Sequence, residues 1–287
     1  MNNDVVVPAD LEQTVRRALA EDIGDGDLTA VLIPAATIAH AWVISREAAV
    51  LCGRPWFDAV FRELDVTVEI AWRVEEGEGI SAGQRLCDLR GSARALLTGE
   101  RTALNFLQTL SGTATETARH AAALAGTGVK LLDTRKTVPG LRRAQKYAVR
   151  CGGGHNHRMG LYDGILIKEN HIQSAGSITD AVSAAREVAF GRDIEVEVEN
   201  LAEVREALEA RADILLLDNF SLEEIRDAVA LVGGAVRLEV SGGVGFDQLK
   251  ALAGTGIDFI SVGALTKHVR AIDLSMRFEA GWFETGQ

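Results

Sequence analysis

The chain has 287 residues, of which 47% are hydrophobic and 25% are charged. This apolar fraction is ample for a buried core and excludes a wholly disordered chain, while the length fits one large domain or two ordinary ones. Thirty lysines and arginines against 41 aspartates and glutamates give a net charge of −11, so the chain has no overall basic surface for nucleic acid.

The first hundred residues predict a small domain of helices and strands. Residues Leu11–Glu21 carry apolar side chains at helical spacing and lead into a turn-rich acidic stretch. Three candidate strands follow, of which the first two are rich in β-branched and aromatic residues: Ile38–Arg46, Val66–Val74 and Gln84–Leu89. We expect these strands to form a small β-sheet packed with helices.

An Ala-rich helical pattern extends from Ser92 to about Leu124. The run Gly99–Arg101 is expected to interrupt it, and Gly112 to mark a second break, because glycine is unfavourable in a helix interior. Arg101 stands in an otherwise apolar stretch. It either pairs with a neighbouring acid or reaches into another subunit or domain, and the periodicity leaves both alternatives open.

Short apolar runs alternate with helical segments over the rest of the chain. Six of these runs predict strands: Val129–Asp133, Gly164–Lys168, Ile194–Glu197, Ile214–Asp218, Val236–Ser241 and Phe259–Gly263. From Lys168 onward their ends are spaced 29, 21, 23 and 22 residues apart. Strand–helix units at such spacing form parallel sheets with right-handed crossovers. A seventh strand could lie between Tyr147 and Asn156, whereas a full eight-stranded barrel would need more chain.

These patterns predict an α/β protein with two domains. We expect an N-terminal α/β sandwich-like domain over residues 1–112 and an incomplete α/β barrel of six or seven parallel strands over residues 113–269. We also expect a C-terminal helix at about 270–287 that packs back on the N-terminal domain.

The ends of the predicted strands carry chemically useful groups, and in an α/β barrel these ends line the active site. Cationic residues follow the first two strands, acidic residues end the next two and small residues follow the last two: Thr134, Arg135 and Lys136; Lys168; Glu197; Asp218; Ser241, Gly242 and Gly243; Gly263 and Ala264. Glycines let backbone N–H groups approach a phosphate, and a helix start adds a favourable dipole. The last two ends therefore indicate a phosphate site, with two ordinary turns as the alternative.

Glu197 and Asp218 are hard oxygen donors on neighbouring predicted strands. Such a pair suits a Mg²⁺ ion that keeps several waters and bridges to substrate oxygens. Either carboxylate could instead pair with Lys168. His155 and His157 could form a metal pair, but no third soft ligand is evident in the sequence, which disfavours zinc.

Local charge differs from the total. Residues 130–171 hold nine lysines and arginines against three acids, a local charge of +6, whereas the remainder of the chain carries −17. A helix with a solvated basic face would explain this segment, and so would an anion site. Arginines such as Arg135 and Arg158 bind carboxylate or phosphate bidentately, which favours the anion site.

Together these groups predict an enzyme that binds a phosphorylated substrate, Mg²⁺ and a second anionic group. Two chemistries remain open. Lys168 could form a Schiff base, as in class I aldolases, or the site could hold a polyanion around a developing cation without a protein nucleophile. A phosphate-binding protein on a degenerate barrel is a third interpretation, which the lysine and carboxylate positions disfavour.

Cysteine usage and hydropathy bear on location. Cys52, Cys87 and Cys151 are odd in number and form no CxxC motif, which is typical of a reducing compartment. The sequence shows neither a charged-then-apolar leader nor an apolar run of the roughly 20 residues that span a bilayer. We therefore expect a cytoplasmic protein with no membrane partner.

Several strings of the sequence are long and specific: Asp133–Arg142, Lys146–Val149, Gly152–Arg158, Leu166–His171, Glu21–Thr29, Gly99–Asn105, Leu217–Phe220 and Ser241–Gly243. Over nearly the whole chain they resemble the quinolinate phosphoribosyltransferase family. Val240 departs from that pattern, which would place Ala or Ser before the Ser-Gly-Gly string, but a backbone grip on phosphate does not need this side chain.

The resemblance implies phosphoribosyl transfer from phosphoribosyl pyrophosphate to quinolinate with decarboxylation. The products would be nicotinate mononucleotide, pyrophosphate and CO₂, in de novo NAD biosynthesis. The alternative is a phosphoribosyltransferase of the same fold that acts on another pyridine or base. The resemblance also implies Mg²⁺ as cofactor, held by the two carboxylates partly through water, and four catalytic residues: Lys136, Lys168, Glu197 and Asp218.

The resemblance implies the quinolinate contacts as well. Arg135, His157 and Arg158 would hold its carboxylates, and Thr134 would also contact substrate. Arg101 would join them from the partner subunit of a homodimer, with a hexamer as the alternative assembly.

The remaining contacts implied by the resemblance concern phosphoribosyl pyrophosphate. Lys136 and Lys168 would lie between quinolinate and the sugar phosphates, while the two carboxylates would face the ribose hydroxyls and Mg²⁺. The 5′-phosphate would bind to the small residues after the last two strands: Ser241, Gly242, Gly243, Gly263 and Ala264.

Overall fold

A computed structural model of the chain describes residues 5–279. The strands are β1 (Ile38–Ser45), β2 (Ala49–Val50), β3 (Glu69–Trp72), β4 (Gly79–Ile80), β5 (Arg85–Ser92), β6 (Lys130–Leu132), β7 (Ile165–Ile167), β8 (Ile194–Val198), β9 (Ile214–Asp218), β10 (Arg237–Ser241), β11 (Phe259–Ser261) and β12 (Leu274–Phe278). The helices are α1 (Leu11–Ile23), α2 (Arg54–Leu64), α3 (Ala93–Ala123), α4 (Arg142–Cys151), α5 (Glu169–Ala175), α6 (Ile178–Val188), α7 (Leu201–Glu209), α8 (Leu222–Val232), α9 (Leu249–Ala253) and α10 (Ala264–Lys267). Short 3-10 helices occupy Ala30–Leu32 and Phe246–Gln248. Among the described helices, none combines the length and hydropathy needed to cross a bilayer.

The described residues form two compact units. The first unit contains 5–118, 138–153 and 268–279, and the second contains 119–137 and 154–267. The cationic segment 130–171 is therefore divided between the two units.

The first unit is built on a four-stranded antiparallel sheet in the order β12–β1–β5–β3. Alternate residues of β1 are buried, as expected when one face of a sheet covers a core. Helix α2 contributes Trp56, Phe57 and Phe61 to that core. Trp56 meets Tyr147 of α4 edge to face, with ring centroids 5.1 Å apart, so α4 packs into the same core.

The second unit is built on a six-stranded parallel sheet in the order β6–β11–β10–β9–β8–β7. This sheet, with helices between its strands, confirms the predicted α/β architecture. Polar caps begin two of the helices that follow strands: Asn200 accepts hydrogen bonds from the amides of Ala202 and Glu203, and Ser221 accepts one from the amide of Glu224. The strands therefore turn into helices at defined residues, which fixes where their ends lie.

The seventh strand suggested between Tyr147 and Asn156 is not formed. Helix α4 occupies this segment as far as Cys151, and of the residues that follow only His155 forms an isolated parallel bridge, with Leu132. Three consecutive glycines separate the helix from the bridge and leave too few residues for a strand.

The C-terminal helix predicted at about 270–287 is wrong for residues 274–278, which form β12. The sequence Leu-Ser-Met-Arg-Phe buries Leu274 and Met276 and leaves Arg277 exposed, and it pairs antiparallel with β1. A period of two, rather than a helical period, describes this segment. Residues 280–287, the rest of the predicted helix, lie outside the described residues.

Helix α3 continues through Gly99 and Gly112, so the predicted interruptions are wrong. A Cβ atom at Gly99 would lie 2.8 Å from the ring of Phe61, and one at Gly112 would overlap the backbone oxygen of Arg270. Both glycines therefore allow another segment to approach the helix, and packing outweighs their low helix propensity.

The close approach at Gly112 predicts that Gly112→Ala destabilises the first unit. Helix propensity favours alanine by about 1 kcal/mol, but overpacking against a backbone carbonyl costs about 1–3 kcal/mol. We expect a lower urea midpoint for this variant. Gly79→Ala is the control, because a Cβ atom there meets nothing within 4 Å. A midpoint for Gly112→Ala at or above that of the control would contradict the packing argument.

Candidate active site

The parallel sheet of the second unit brings five predicted site positions to one edge. Asp218 and Ser241 are paired in the register of β9 and β10, and Glu197 pairs with Leu216, two residues before Asp218. Lys168 directly follows β7, and Gly263 lies two residues beyond the end of β11. Because the carboxyl ends of parallel strands meet at the same edge, these groups can act on one substrate.

An ion pair joins two of the predicted catalytic residues. Nζ of Lys168 donates a hydrogen bond to Oε2 of Glu197. The carboxylate side chain is 15% exposed and the lysine side chain 44% exposed, so the lysine lies on the open side of the pair. The pair matches one of the alternatives left open by the sequence.

Asp218 lies close to the same groups. Partial burial, and then the charge of Glu197, raise the pKa of the Asp218 carboxyl above its ordinary value, while Lys168 and Lys136 oppose this shift. Two carboxylates and two lysines therefore form one electrostatic cluster, which we call the Lys–carboxylate cluster (Lys136, Lys168, Glu197 and Asp218).

Lys136 is held in place by the loop after β6 and by the segment after β11. Oγ1 of Thr134 accepts a hydrogen bond from the Lys136 amide at 3.0 Å, and Oγ1 of Thr266 donates one to the Lys136 carbonyl at 2.8 Å. A Cβ atom at Gly263 would lie 3.1 Å from Cδ of Lys136. Glycine at this position therefore lets the lysine side chain cross the end of β11.

The Ser241–Gly243 turn also needs glycine. Gly242 has φ +91°, and a Cβ atom there would lie 2.9 Å from both the Asn219 amide nitrogen and Oδ1 of Asp218. The turn therefore packs directly against the end of β9. Ala264 begins α10, directly after Gly263.

Arg135 and Arg158, which the sequence predicts to bind substrate carboxylates, both belong to the second unit. Partial burial, and then the charge of Arg135, lower the pKa of Arg158, so the two cations lie close together. The Arg158 guanidinium also donates a hydrogen bond to the carbonyl of Gly164 at 3.3 Å. Two neighbouring guanidinium groups form a favourable place for a dianion.

Two buried glutamates beside His157 were missed by the sequence analysis. Nε2 of His157 lies 3.0 Å from Oε2 of Glu195 and 3.6 Å from Oε2 of Glu239. The signal was the alternation of acidic and apolar residues in both strands, Ile-Glu-Val-Glu-Val in β8 and Arg-Leu-Glu-Val-Ser in β10. These three side chains also form a group that could ligate a metal, but His155 is not part of that group, so the proposed His155–His157 pair gains no support.

Arg101 lies on α3 in the first unit and is exposed. All the other predicted site residues belong to the second unit. A role for Arg101 in the site of a partner subunit stays a prediction.

The environment of Glu239 predicts a pH dependence of stability. Burial, and then the charge of Glu195, raise the pKa of Glu239 from 4.5 to about 8. The folded chain keeps this proton up to about pH 8, whereas the unfolded chain loses it near pH 4.5, so unfolding releases a proton between these values. The contribution of this proton to the free energy of unfolding is complete below the pKa of the unfolded chain. It is lost as the pH rises through the pKa of the folded chain, by at most about 1.4 kcal/mol per pH unit.

We therefore expect Glu239→Gln to flatten the fall of the urea midpoint between pH 5.5 and pH 7.5. The control is Glu209→Gln, the same change at an exposed position of α7. Parallel profiles for wild type and Glu239→Gln would contradict the assignment.

Comparisons with known proteins agree with this geometry. Residues 27–111 match the family model "Quinolinate phosphoribosyl transferase, N-terminal domain" and residues 113–277 match the model of the C-terminal domain. The nicotinate-nucleotide pyrophosphorylase (carboxylating) of Mycobacterium leprae is 42% identical, over 92% of this chain and 95% of that protein. A probable nicotinate-nucleotide pyrophosphorylase (carboxylating) of Bacillus subtilis is 41% identical, over 93% and 92%. The structure of the nicotinate-nucleotide pyrophosphorylase from Francisella tularensis matches with a TM-score of 0.92 at 49% identity, over 97% of this chain and 100% of that chain. The chain therefore belongs to the quinolinate phosphoribosyltransferase family.

Proposed function

We propose that this protein transfers the phosphoribosyl group of phosphoribosyl pyrophosphate to quinolinate, giving nicotinate mononucleotide, pyrophosphate and CO₂ for NAD biosynthesis. The Lys–carboxylate cluster at the strand ends carries this proposal, because it offers both charge signs to a substrate that separates charge as it reacts. The names of the relatives support the same reaction.

The ion pair of Lys168 argues against a Schiff-base enzyme. A Schiff base needs a lysine nitrogen that is free to attack a carbonyl group, whereas Nζ of Lys168 is engaged with Glu197. The site therefore favours a displacement in which the substrates, and not the protein, supply the nucleophile.

The carboxylates suit the ribose half of the reaction. When the bond between C1′ and the pyrophosphate oxygen breaks, its electron pair leaves with pyrophosphate and positive charge develops on the ribose ring. Glu197 and Asp218 would stabilise that charge, while Lys136 and Lys168 would stabilise the departing anion.

The guanidinium groups suit the acceptor. Arg135 and Arg158 would hold the two carboxylates of quinolinate and thereby aim its ring nitrogen at C1′. The nitrogen lone pair forms the new bond to C1′. The bond between ring carbon 2 and its carboxylate then breaks, CO₂ leaves, and the electron pair stays on the ring carbon, which takes a proton.

Magnesium fits the donor set at the strand ends. Glu197 and Asp218 offer oxygen ligands, and partial burial, then the charge of Glu197, raise the pKa of Asp218. These two residues would hold the ion, partly through water. Bound Mg²⁺ would neutralise charge on the leaving pyrophosphate.

The two glycine turns suit the 5′-phosphate. Gly242 packs against the end of β9 and Gly263 lies beside Lys136, so glycine at both positions keeps these turns close to the strand ends, and a Cβ atom at Gly243 would meet nothing within 4 Å. Adjacent residues add further amides and a hydroxyl: Ser241, Gly243 and Ala264. Backbone N–H groups bind phosphate oxygens without adding cationic side chains.

We also propose a homodimer in which Arg101 reaches the partner's site, with a hexamer as the larger alternative. Its exposure on α3 supports such a contact. The free state of Cys52, Cys87 and Cys151 supports a reducing, cytoplasmic location.

A product assay tests the reaction. The protein is incubated with phosphoribosyl pyrophosphate, Mg²⁺ and either quinolinate or nicotinate, and nicotinate mononucleotide, pyrophosphate and CO₂ are measured. We expect all three products in equal amounts from quinolinate and at least about 100-fold slower turnover of nicotinate, because the arginine pair loses one carboxylate partner. Equal turnover of the two acids would identify a different acceptor.

Charge-matched variants complete this assay. Asp218→Asn removes a carboxylate from the cluster, whereas Asp227→Asn makes the same change at an exposed position of α8. We expect a loss of kcat of about 100-fold or more only in the first variant.

Subunit mixing tests the shared site. Arg101→Ala and Lys168→Ala chains, each inactive alone, are co-expressed with different tags, and the mixed dimer is isolated. If Arg101 acts in trans, one of the two sites in that dimer has every wild-type group, so the mixed dimer should regain about half of the wild-type activity. Absence of recovery would place Arg101 in the site of its own subunit or outside any site.

A further inference from the structure

Glu195 lies two residues before Glu197 in β8, and Glu239 lies two residues before Ser241 in β10. Successive side chains of a strand alternate between faces, so Glu195 shares a face with Glu197, and Glu239 shares one with Ser241, about 7 Å nearer the amino ends. The two glutamates are 4% and 1% exposed, respectively. Burying two carboxyl groups is unfavourable unless other groups satisfy them, so their position calls for a function.

The side chains of these two glutamates lie beside Nε2, at the edge of the His157 ring. Nε2 of the ring lies 3.0 Å from Oε2 of Glu195 and 3.6 Å from Oε2 of Glu239. Nδ1 accepts a hydrogen bond from the Arg158 amide at 2.7 Å, so the ring proton belongs on Nε2 and points at Glu195. The ring therefore links the buried carboxylates to the backbone of Arg158.

The backbone of this segment is held from a second direction. Asp133, which is fully buried, accepts a hydrogen bond from the His157 amide at 2.9 Å. Contacts on the amide and on both ring nitrogens leave the segment little freedom. Arg158, the next residue, starts from this fixed point and carries one of the two guanidinium groups of the site.

We propose that Glu195 and Glu239 are positioning residues that hold His157 and, through it, Arg158 in place to bind a pyridine dicarboxylate. This inference rests on the proposed function. The phosphate turns at Gly242 and Gly263 are separate loops with their own contacts. Loss of the glutamates should therefore affect the dicarboxylate and spare phosphoribosyl pyrophosphate.

Steady-state kinetics test the proposal. Glu195→Met keeps approximate size but removes the acceptor, and it should raise KM for quinolinate about tenfold, the effect of losing one charge-assisted hydrogen bond. KM for phosphoribosyl pyrophosphate should stay within about twofold because its turns do not depend on His157. Glu195→Gln keeps an acceptor oxygen and should recover most of the loss. Glu239→Met should raise the same KM by a smaller factor, because Oε2 of Glu239 lies 3.6 Å from Nε2, and Glu239→Gln should stay near wild type.

The control is Glu209→Met, on the exposed side of α7. Equal rises in both KM values would mean a general structural defect and would overturn the proposal. So would unchanged KM values in Glu195→Met, or one divalent ion per chain that disappears in Glu239→Met, since the cluster would then be a metal site.

A spectroscopic measurement is independent of turnover. In long-range ¹H–¹⁵N spectra of protein labelled on its six histidines, His157 is assigned by its absence in His157→Gln. We expect the Nε2–H form in wild type and a mixture of ring forms in Glu195→Met. An Nδ1–H form in wild type would overturn the proposal. Wild-type protein that does not turn over quinolinate but shows the expected ring form would refute the proposed function and leave the His157 contacts intact.

Discussion

The ion pair between Lys168 and Glu197 is the contact on which the rest of the site depends. Glu197 and Asp218 lie close enough that the charge of one raises the pKa of the other, and partial burial adds to that effect. Without a cation between them, the two carboxylates would favour protonation or separation. Lys168 removes that conflict at Glu197, and Lys136 acts on Asp218. Without substrate, the lysines and carboxylates of the Lys–carboxylate cluster therefore balance each other's charges, and a bound substrate can exchange these contacts for its own.

The same sheet carries a second set of charges beside the first. Strand β8 places Glu195 and Glu197 on one face, two positions apart. Glu197 meets Lys168 at the strand ends, whereas Glu195 meets His157 in the interior. In the register of the sheet Glu239 lies at the level of Glu197, because both pair with Leu216. We infer that Glu197 interacts with the ribose and that Glu195 and Glu239, through His157, orient the acceptor.

Sequence patterns predicted the strand ends well because apolar runs and their spacing are local signals. Asp218 ends its strand as predicted, whereas Lys168 and Gly263 lie one and two residues beyond the ends of theirs. Tertiary packing determined what the patterns missed. Gly112 suggests a helix break in the sequence, but the structure shows that it makes room for the backbone of Arg270. Residues 274–278 pair with β1, which is over two hundred positions away in the chain. The sequence did not identify Glu195 and Glu239 as site residues, because the apolar content of a strand predicts the strand and not the role of an acid within it. The environment of a buried acid depends on neighbours that no single strand contains.

The proposed substrates are both anions, although the chain carries a net charge of −11. A few cations at fixed positions in the site explain how they would bind. The segment 130–171 concentrates positive charge in the sequence, yet the fold divides it between the two units, and Lys146 is fully buried on α4 in the first. The proposed site uses four cations of the second unit and opposes them with carboxylates of its own. Such a site attracts anions less strongly than a basic patch would. It stabilises instead the transition state, in which positive charge develops on the ribose and negative charge on the leaving pyrophosphate. Each of these charges already has a group of opposite charge in place.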